Sequence, residues 1–171
     1  MGRLFVWFDM DGVLNRYDRS IYRGEKPLYL KKGLHYYRNA PADSTALKML
    51  KYVSSLRGVQ YRIITCLPDG EIFYEHLLDK KYWLSQNAPY AEDRLVSCIG
   101  DKYGCAEAVL GSRDFAKYTN ILIDDFNSNL LNWQESGGIS IKYLNGVNSG
   151  ESWGGYAVRN LEDLKFILKN L

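Results

Sequence analysis

The sequence predicts a three-layer α/β/α protein built on a doubly wound parallel sheet of about five strands. Three observations point there. Short apolar runs rich in Val, Ile, Phe and Trp alternate with stretches of helical period along nearly the whole chain. Two of those runs, "LFVWF" and "NILI", break off into acid, at Asp9 and Asp11 and at Asp124 and Asp125. The 171 residues, 46% of them hydrophobic, suit one globular domain over 1–171 with a substantial core.

The elements follow in order. The run 4–8 is long enough for a strand buried on both faces. Residues 42–56 read as a helix with Leu47, Leu50, Val53 and Leu56 on one side, capped by Asp43 or Ser44. "VQYRIIT" (59–65) is the second strand, 70–87 a long helix, 94–99 the third strand and 105–110 a short helix. The fourth strand spans 120–123, and a helix over 127–136 is closed by the Gly137–Gly138 pair. A fifth strand spans 139–144. The following "NGVNSGESWGGYAV" is too rich in glycine to be regular, and a last helix covers 161–171.

One segment breaks the rhythm. Residues 15–41 carry Tyr17, Tyr22, Tyr29, Tyr36 and Tyr37 with no clear period, and read as an insertion forming a flap or minimal cap over the end of the first strand. Its tyrosines could stack on a nucleobase or pack on the core as a lid, and Trp153 is open to the same two readings.

The bulk properties leave the partner open. A formal charge of +2 gives no field that argues for nucleic acid or an anionic membrane as main partner. No apolar run approaches the roughly 20 residues of a membrane helix, and none reads as a secretory signal. Cys66, Cys98 and Cys105 are odd in number and lack a C-x-x-C, so a reducing cytoplasm is expected rather than a disulfide framework or a zinc knuckle. His35 and His76 belong to no ligand-spaced group and read as surface or packing residues.

In a parallel sheet the ligand crevice lies beyond the carboxyl ends of the strands. Asp9 and Asp11, two apart in extended chain, can face one point there, and Asp124 and Asp125 can join them from a neighbouring strand. Clustered carboxylates repel unless they protonate or bind a cation, and an all-oxygen set suits Mg2+ completed by phosphate. Thr65, with the backbone amide of Cys66 after it, could hold a phosphate oxygen. Lys102 could neutralise the same group, although Lys117 is a rival nearer the second acidic pair. No basic neighbour in the sequence marks the Cys66 thiol as a nucleophile.

The ordered set "DMDGV" (9–13), Thr65, Lys102 and "LIDD" (122–125) resembles motifs one to four of the haloacid dehalogenase superfamily of phosphatases. "TCLPDGEIFYEHLLDKKYWL" followed by "RLVSCIGDK" is most similar to its 5'(3')-deoxyribonucleotidase branch. That resemblance implies a two-step phosphoryl transfer. Asp9 is the nucleophile and becomes an aspartyl phosphate, while Asp11 acts first as proton donor and then as base. Mg2+ is held by Asp9, the Asp11 backbone carbonyl and Asp124, with Asp125 placing a water of its shell. Thr65, Cys66 and Lys102 grip the phosphate. The nucleotidase branch has a sizeable helical cap between motifs one and two, and the 15–41 insertion is too short for one.

The expected function is therefore a phosphomonoesterase for a nucleoside monophosphate. The alternatives are a phosphatase for polynucleotide ends or another phosphorylated metabolite, a receiver-like signalling module, and a non-catalytic phosphate-binding protein. The receiver has a different motif order, with a single phosphoacceptor aspartate after the third strand. A homodimer is compatible with the short insertion, since a partner subunit could cover the site.

Overall fold

The computed structural model describes residues 3–16, 33–148 and 152–171. The strands are β1 (Arg3–Asp9), β2 (Val59–Cys66), β3 (Leu95–Cys98), β4 (Tyr118–Asp124), β5 (Ile139–Tyr143) and β6 (Tyr156–Val158). They form one sheet in the order β3-β2-β1-β4-β5-β6, with every pairing parallel. The helices are α1 (Ser44–Ser55), α2 (Phe73–Asn87), α3 (Lys102–Leu110), α4 (Ser112–Phe115), α5 (Asn127–Glu135) and α6 (Leu161–Lys169).

Strand alternation explains the layers. Along β1, Val6 and Phe8 face a core that takes Met49, Leu50 and Val53 of α1, Trp83 and Leu84 of α2 and Leu164 and Leu168 of α6. Phe5 and Trp7 face the other side, against Ala106 of α3, Phe115 of α4 and Leu130 and Trp133 of α5. Both faces are covered, as a parallel sheet requires, and so β1 reads as unbroken apolar sequence. The indoles in the second core are hydrogen-bonded. Trp7 Nε1 donates to Asn120 Oδ1 at 3.2 Å and Trp133 Nε1 to Asn120 O at 3.3 Å, while the Asn120 amide donates to Phe115 O at 2.9 Å.

Local chemistry sets the helix ends. Asp43 is the cap of α1, its Oδ1 accepting from Thr45 N at 2.9 Å and Ala46 N at 3.0 Å. Such a cap contributes about 1 kcal/mol. Asp101 caps α3 through Gly104 N at 3.1 Å, and so that helix starts three residues before the expected 105 and includes Lys102. The stop of α5 is as expected, with Gly137 at φ 97°.

Two elements depart from the sequence expectation. The glycine-rich stretch after β5 contains β6, a three-residue edge strand pairing Ile141 with Tyr156 and Tyr143 with Val158. A strand that short has no readable period. The turn of helix α4 is likewise too short to leave a pattern.

The insertion is pinned at its base. Asn15 bridges antiparallel to Ala42, Arg16 N donates to Pro41 O at 2.8 Å and Asp43 N to Leu14 O at 2.8 Å. Residues 17–32, with Tyr17, Tyr22 and Tyr29, lie outside the described residues. Its returning end carries a 3-10 turn, Tyr37–Asn39, with Tyr37 buried against the core.

Candidate active site

The strand order reverses direction between β1 and β4, since β1 leads to β2 on one side and β4 to β5 on the other. Crevices in open α/β sheets form beyond the carboxyl ends at such a switch point. Asp9 ends β1 and Asp124 ends β4 on the adjacent strand. Asp9, Asp124 and Asp125 offer carboxylate oxygens that all lie within 4.8 Å of one another.

Lys102 bridges two of these acids. It reaches them from the first turn of α3, which α3's early start makes possible, and its Nζ lies 2.6 Å from Asp9 Oδ1 and 2.6 Å from Asp124 Oδ2. Asp124 is further held by Phe126 N at 2.8 Å on Oδ1 and by Asn129 Nδ2 at 3.0 Å on Oδ2. Lys117 sits at the other end of β4, exposed and paired with Asp114 at 2.5 Å. Lys102 is therefore the lysine that meets the acids.

The turn after β1 depends on Gly12. It has φ 83°, and a Cβ there would collide with the Asp125 carboxylate. Asn145 locks this approach, its Nδ2 donating to Gly12 O at 2.7 Å and to Asp125 Oδ2 at 2.8 Å. Asp125 does not cap α5, whose cap residue is Phe126.

The second half of the site is built on another lysine. Lys80, fully buried in α2, donates to Asp11 Oδ2 and, at 2.6 Å, to Thr65 Oγ1. Asn15 Nδ2 holds the other Asp11 oxygen at 3.0 Å. The ring of Tyr37 covers Lys80, with the ammonium 4.2 Å from its centroid.

Charge crowding shows in the acidities. Burial pushes Asp9 well above the usual carboxylate range and the Asp124 charge adds to it, against the pull of Lys102. Burial and the Asp124 charge push Asp125 up to about 7. Burial alone would depress Lys102, but the Asp124 and Asp9 carboxylates more than offset it and hold the ammonium above its ordinary value. Three clustered acids with one lysine bridging two of them are short of positive charge, and a divalent cation could supply it. The donor set is all oxygen and fits a hard ion such as magnesium.

Cys66 stands apart from the acids. Its thiol meets Cys98 Sγ at 3.3 Å and Gly100 O at 3.3 Å, so a phosphate contact from this residue falls to its backbone amide. The hydrogen bond with Cys98, helped by the Lys102 charge, pulls the thiol down to about 6 against the effect of burial. The Lys102 charge reaches this thiol through the fold rather than through the sequence.

Two proteins whose solved structures resemble this one over nearly their whole length are D,D-heptose 1,7-bisphosphate phosphatases. That from B. bronchiseptica, determined with magnesium and phosphate, is 12% identical with a TM-score of 0.65, over 98% of this chain and 99% of its own. That from Burkholderia thailandensis is 14% identical with a TM-score of 0.59, over 96% and 98%. A haloacid dehalogenase-like family hydrolase from Streptococcus pneumoniae is 15% identical with a TM-score of 0.60, over 96% and 98%. The fold is that of the haloacid dehalogenase-like hydrolases. No protein-family model matches the sequence, and neither does any curated protein.

Within this haloacid dehalogenase fold, Asp9, Asp11, Thr65, Lys102, Asp124 and Asp125 all converge on the carboxyl end of the sheet. Lys80, Asn15 and Asn145 are contacts that the sequence reading missed. A lysine inside a helix ordinarily faces water. The available signal was its place four residues after His76 and three before Trp83, both buried, on the inward stripe of α2. His35 lies partly exposed, as the surface reading expects, and with Glu75 and Asp79 it offers ligand atoms within 4.8 Å of one another. There His35 Nδ1 and Arg38 Nε meet Asp79 Oδ1 at 2.9 Å and 3.1 Å, tying the returning end of the insertion to α2. His76 is a packing residue, its ring 4.9 Å from that of Tyr37.

Proposed function

We propose that this chain is a magnesium-dependent phosphomonoesterase that works through an aspartyl phosphate on Asp9. The observation that carries the reading is the convergence of Asp9, Asp124 and Asp125 around one point, with Lys102 between two of them. The whole-length likeness to heptose bisphosphate phosphatases, one of them holding magnesium and phosphate, supports it.

In this reading the Asp9 carboxylate, the Asp11 carbonyl and Asp124 would hold the ion, with Asp125 beside them. Bound magnesium would neutralise the negative charge of the phosphoryl group. Lys102 keeps Asp9 aimed and favours its charged form, which the bound ion would complete against the effect of burial. An Asp9 oxygen attacks phosphorus and the ester bond to the leaving oxygen breaks, with Asp11 giving that oxygen its proton. In the second step a water attacks the aspartyl phosphate, Asp11 takes a proton from it, and Asp9 is freed. Thr65 and the Cys66 amide bind the non-bridging oxygens.

The substrate we favour is a nucleoside monophosphate, on the resemblance of the Thr65–Leu84 stretch to deoxyribonucleotidases, in a cytoplasmic setting consistent with three free cysteines. Among the described residues no helix is long and apolar enough to cross a membrane. A second reading, a phosphorylated sugar or related metabolite, is favoured by the match in length to two sugar-phosphate phosphatases, which leaves no room for a large cap.

The test is phosphate release from a panel of nucleoside monophosphates, sugar phosphates and 5'-phosphorylated oligonucleotides, with and without Mg2+, for the native protein and Asp9→Asn. The expected result is Mg2+-dependent release by the native protein and a loss of at least about 10⁴-fold in the variant. Substantial activity in Asp9→Asn overturns the mechanism, and equal rates across the panel overturn the nucleotide assignment.

A further inference from the structure

We infer that Lys80 is the positioning residue for the proton-transferring carboxyl of Asp11, reaching into the site from a helix that carries none of the four motifs. This rests on the phosphatase reading above and assigns a role that the motif set leaves vacant.

The acid and base duties of Asp11 need its carboxyl held in one plane, because a general acid must meet the leaving oxygen within hydrogen-bond reach. Asp11 lies in the tight turn 11–15 and is 8% exposed. Two donors fix it. Asn15 holds Oδ1 from within the same turn, and Lys80 holds Oδ2 from 69 residues away. Among the described residues the Lys80 contact is the closest tie from Oδ2 to the rest of the fold, and the same ammonium bonds Thr65 Oγ1 at 2.6 Å. Lys80 thus sets the spacing between the proton donor and the expected phosphate cradle.

The surroundings of Lys80 show a built contact. The side chain is fully buried, a state that lysine takes only when paired. Tyr37 lies over the ammonium and is itself 4% exposed. Its neighbour in α2, Asp79, is bound by His35 and Arg38, which brings the stretch bearing Tyr37 down onto this face of the helix. Removing the ammonium therefore leaves the Asp11 carboxyl held by Asn15 and the longer Thr65 contact alone, and removes no hydrogen bond of Asp9, Asp124 or Lys102.

The leaving group discriminates this role from plain phosphate binding. A p-nitrophenolate departs without a proton, whereas an alkoxide needs one, so a misplaced Asp11 harms the first transfer only for alkyl esters. kcat/KM reports that first transfer. For Lys80→Met measured with saturating Mg2+, kcat/KM on an alkyl phosphate such as glycerol phosphate is expected to fall about 100-fold, within the span of general acid–base effects. On p-nitrophenyl phosphate it is expected to fall by less than about tenfold. Because the second step still needs Asp11 as base, nitrophenol is expected to appear in a burst followed by slow turnover. Lys80→Arg, which keeps the charge and the donors, is expected to recover part of the alkyl activity.

A buried lysine's loss can damage folding, so the double variant Asp11→Asn/Lys80→Met is measured beside Asp11→Asn alone. It removes both charges, and if Lys80 acts mainly through Asp11 the second substitution costs far less on the alkyl ester than Lys80→Met does alone, the remainder being its bond to Thr65. Equal losses on both esters, or a further loss in the double variant as large as that of Lys80→Met alone, overturn the inference and make Lys80 a phosphate ligand or a packing residue. Should native protein release no phosphate with Mg2+, or Asp9→Asn remain active, the phosphatase reading itself fails, which is a separate outcome.

Discussion

Lys102 and Lys80 are both buried cations among aspartates at the same end of the sheet, yet they do different work. Lys102 lies between two acids, Asp9 and Asp124, that are also candidate ligands of a divalent ion. Lys80 joins one acid to a neutral hydroxyl, Asp11 to Thr65, on the side away from that cluster. The partners of the first lysine are those proposed for the metal, and those of the second are not. On the proposed reading one cation balances charge in a crowded carboxylate set, and the other holds a geometry.

The largest effect that can break this comparison comes from Lys102→Met. It leaves two buried carboxylates facing each other, and truncating one side of a buried ion pair costs about 3–5 kcal/mol. Activity is expected to fall about 10²–10³-fold, as when a preorganised charge at a reacting centre is removed. Saturating Mg2+ is expected to restore most of the lost thermal stability, because the ion occupies the same carboxylates. In Lys80→Met it is expected to restore little. Thermal melts of both variants with and without Mg2+ check this, and equal rescue of the two would erase the distinction.

A smaller effect follows from the raised acidities. Asp9 and Asp125 hold their protons more tightly folded than unfolded, where such a carboxyl titrates near 3.9. The folded state then binds more protons between about pH 4 and 7, so metal-free stability declines as pH rises through that window. Asp43 is shifted downward, and its contribution is lost only as pH falls below about 4, outside the window. Magnesium needs the ionised acids, and its upward shift of the melting temperature is expected to be larger at pH 8 than at pH 5.5. A shift equal at the two pH values would mean that these acids are not the ones that meet the ion.

The smallest effect is expected at Cys66. Its thiol points to Cys98 and Gly100, so Cys66→Ser keeps the backbone amide and is expected to keep steady-state activity close to that of the native protein. A large rise in KM would place the thiol itself on the phosphate.

The half of the site around Lys102 was legible in the sequence because it lies at strand ends. An apolar run that stops in acid announces both its secondary structure and its chemistry, and Asp9, Thr65, Lys102 and Asp124 come in chain order at successive strand termini. Around Lys80 the sequence showed Asp11 and Thr65 but not the lysine that joins them. Its contact with Asp11 spans 69 residues from mid-helix, where lysine is usually solvated, and "DKKYW" places a solvent-facing lysine directly after the buried one. The edge strand β6 was hidden for a related reason. Three residues paired on one side only carry no alternation, and the surrounding glycines and asparagines, including the Asn145 that locks Gly12 to Asp125, read as punctuation.

The most direct test of the central claim is to quench the native protein in acid during turnover of a phosphate-labelled substrate with Mg2+, and to map the label by peptide mass analysis. The account expects label on the peptide containing Asp9, absent without Mg2+ and absent in Asp9→Asn. Label on another residue, or sustained turnover by Asp9→Asn, would contradict it.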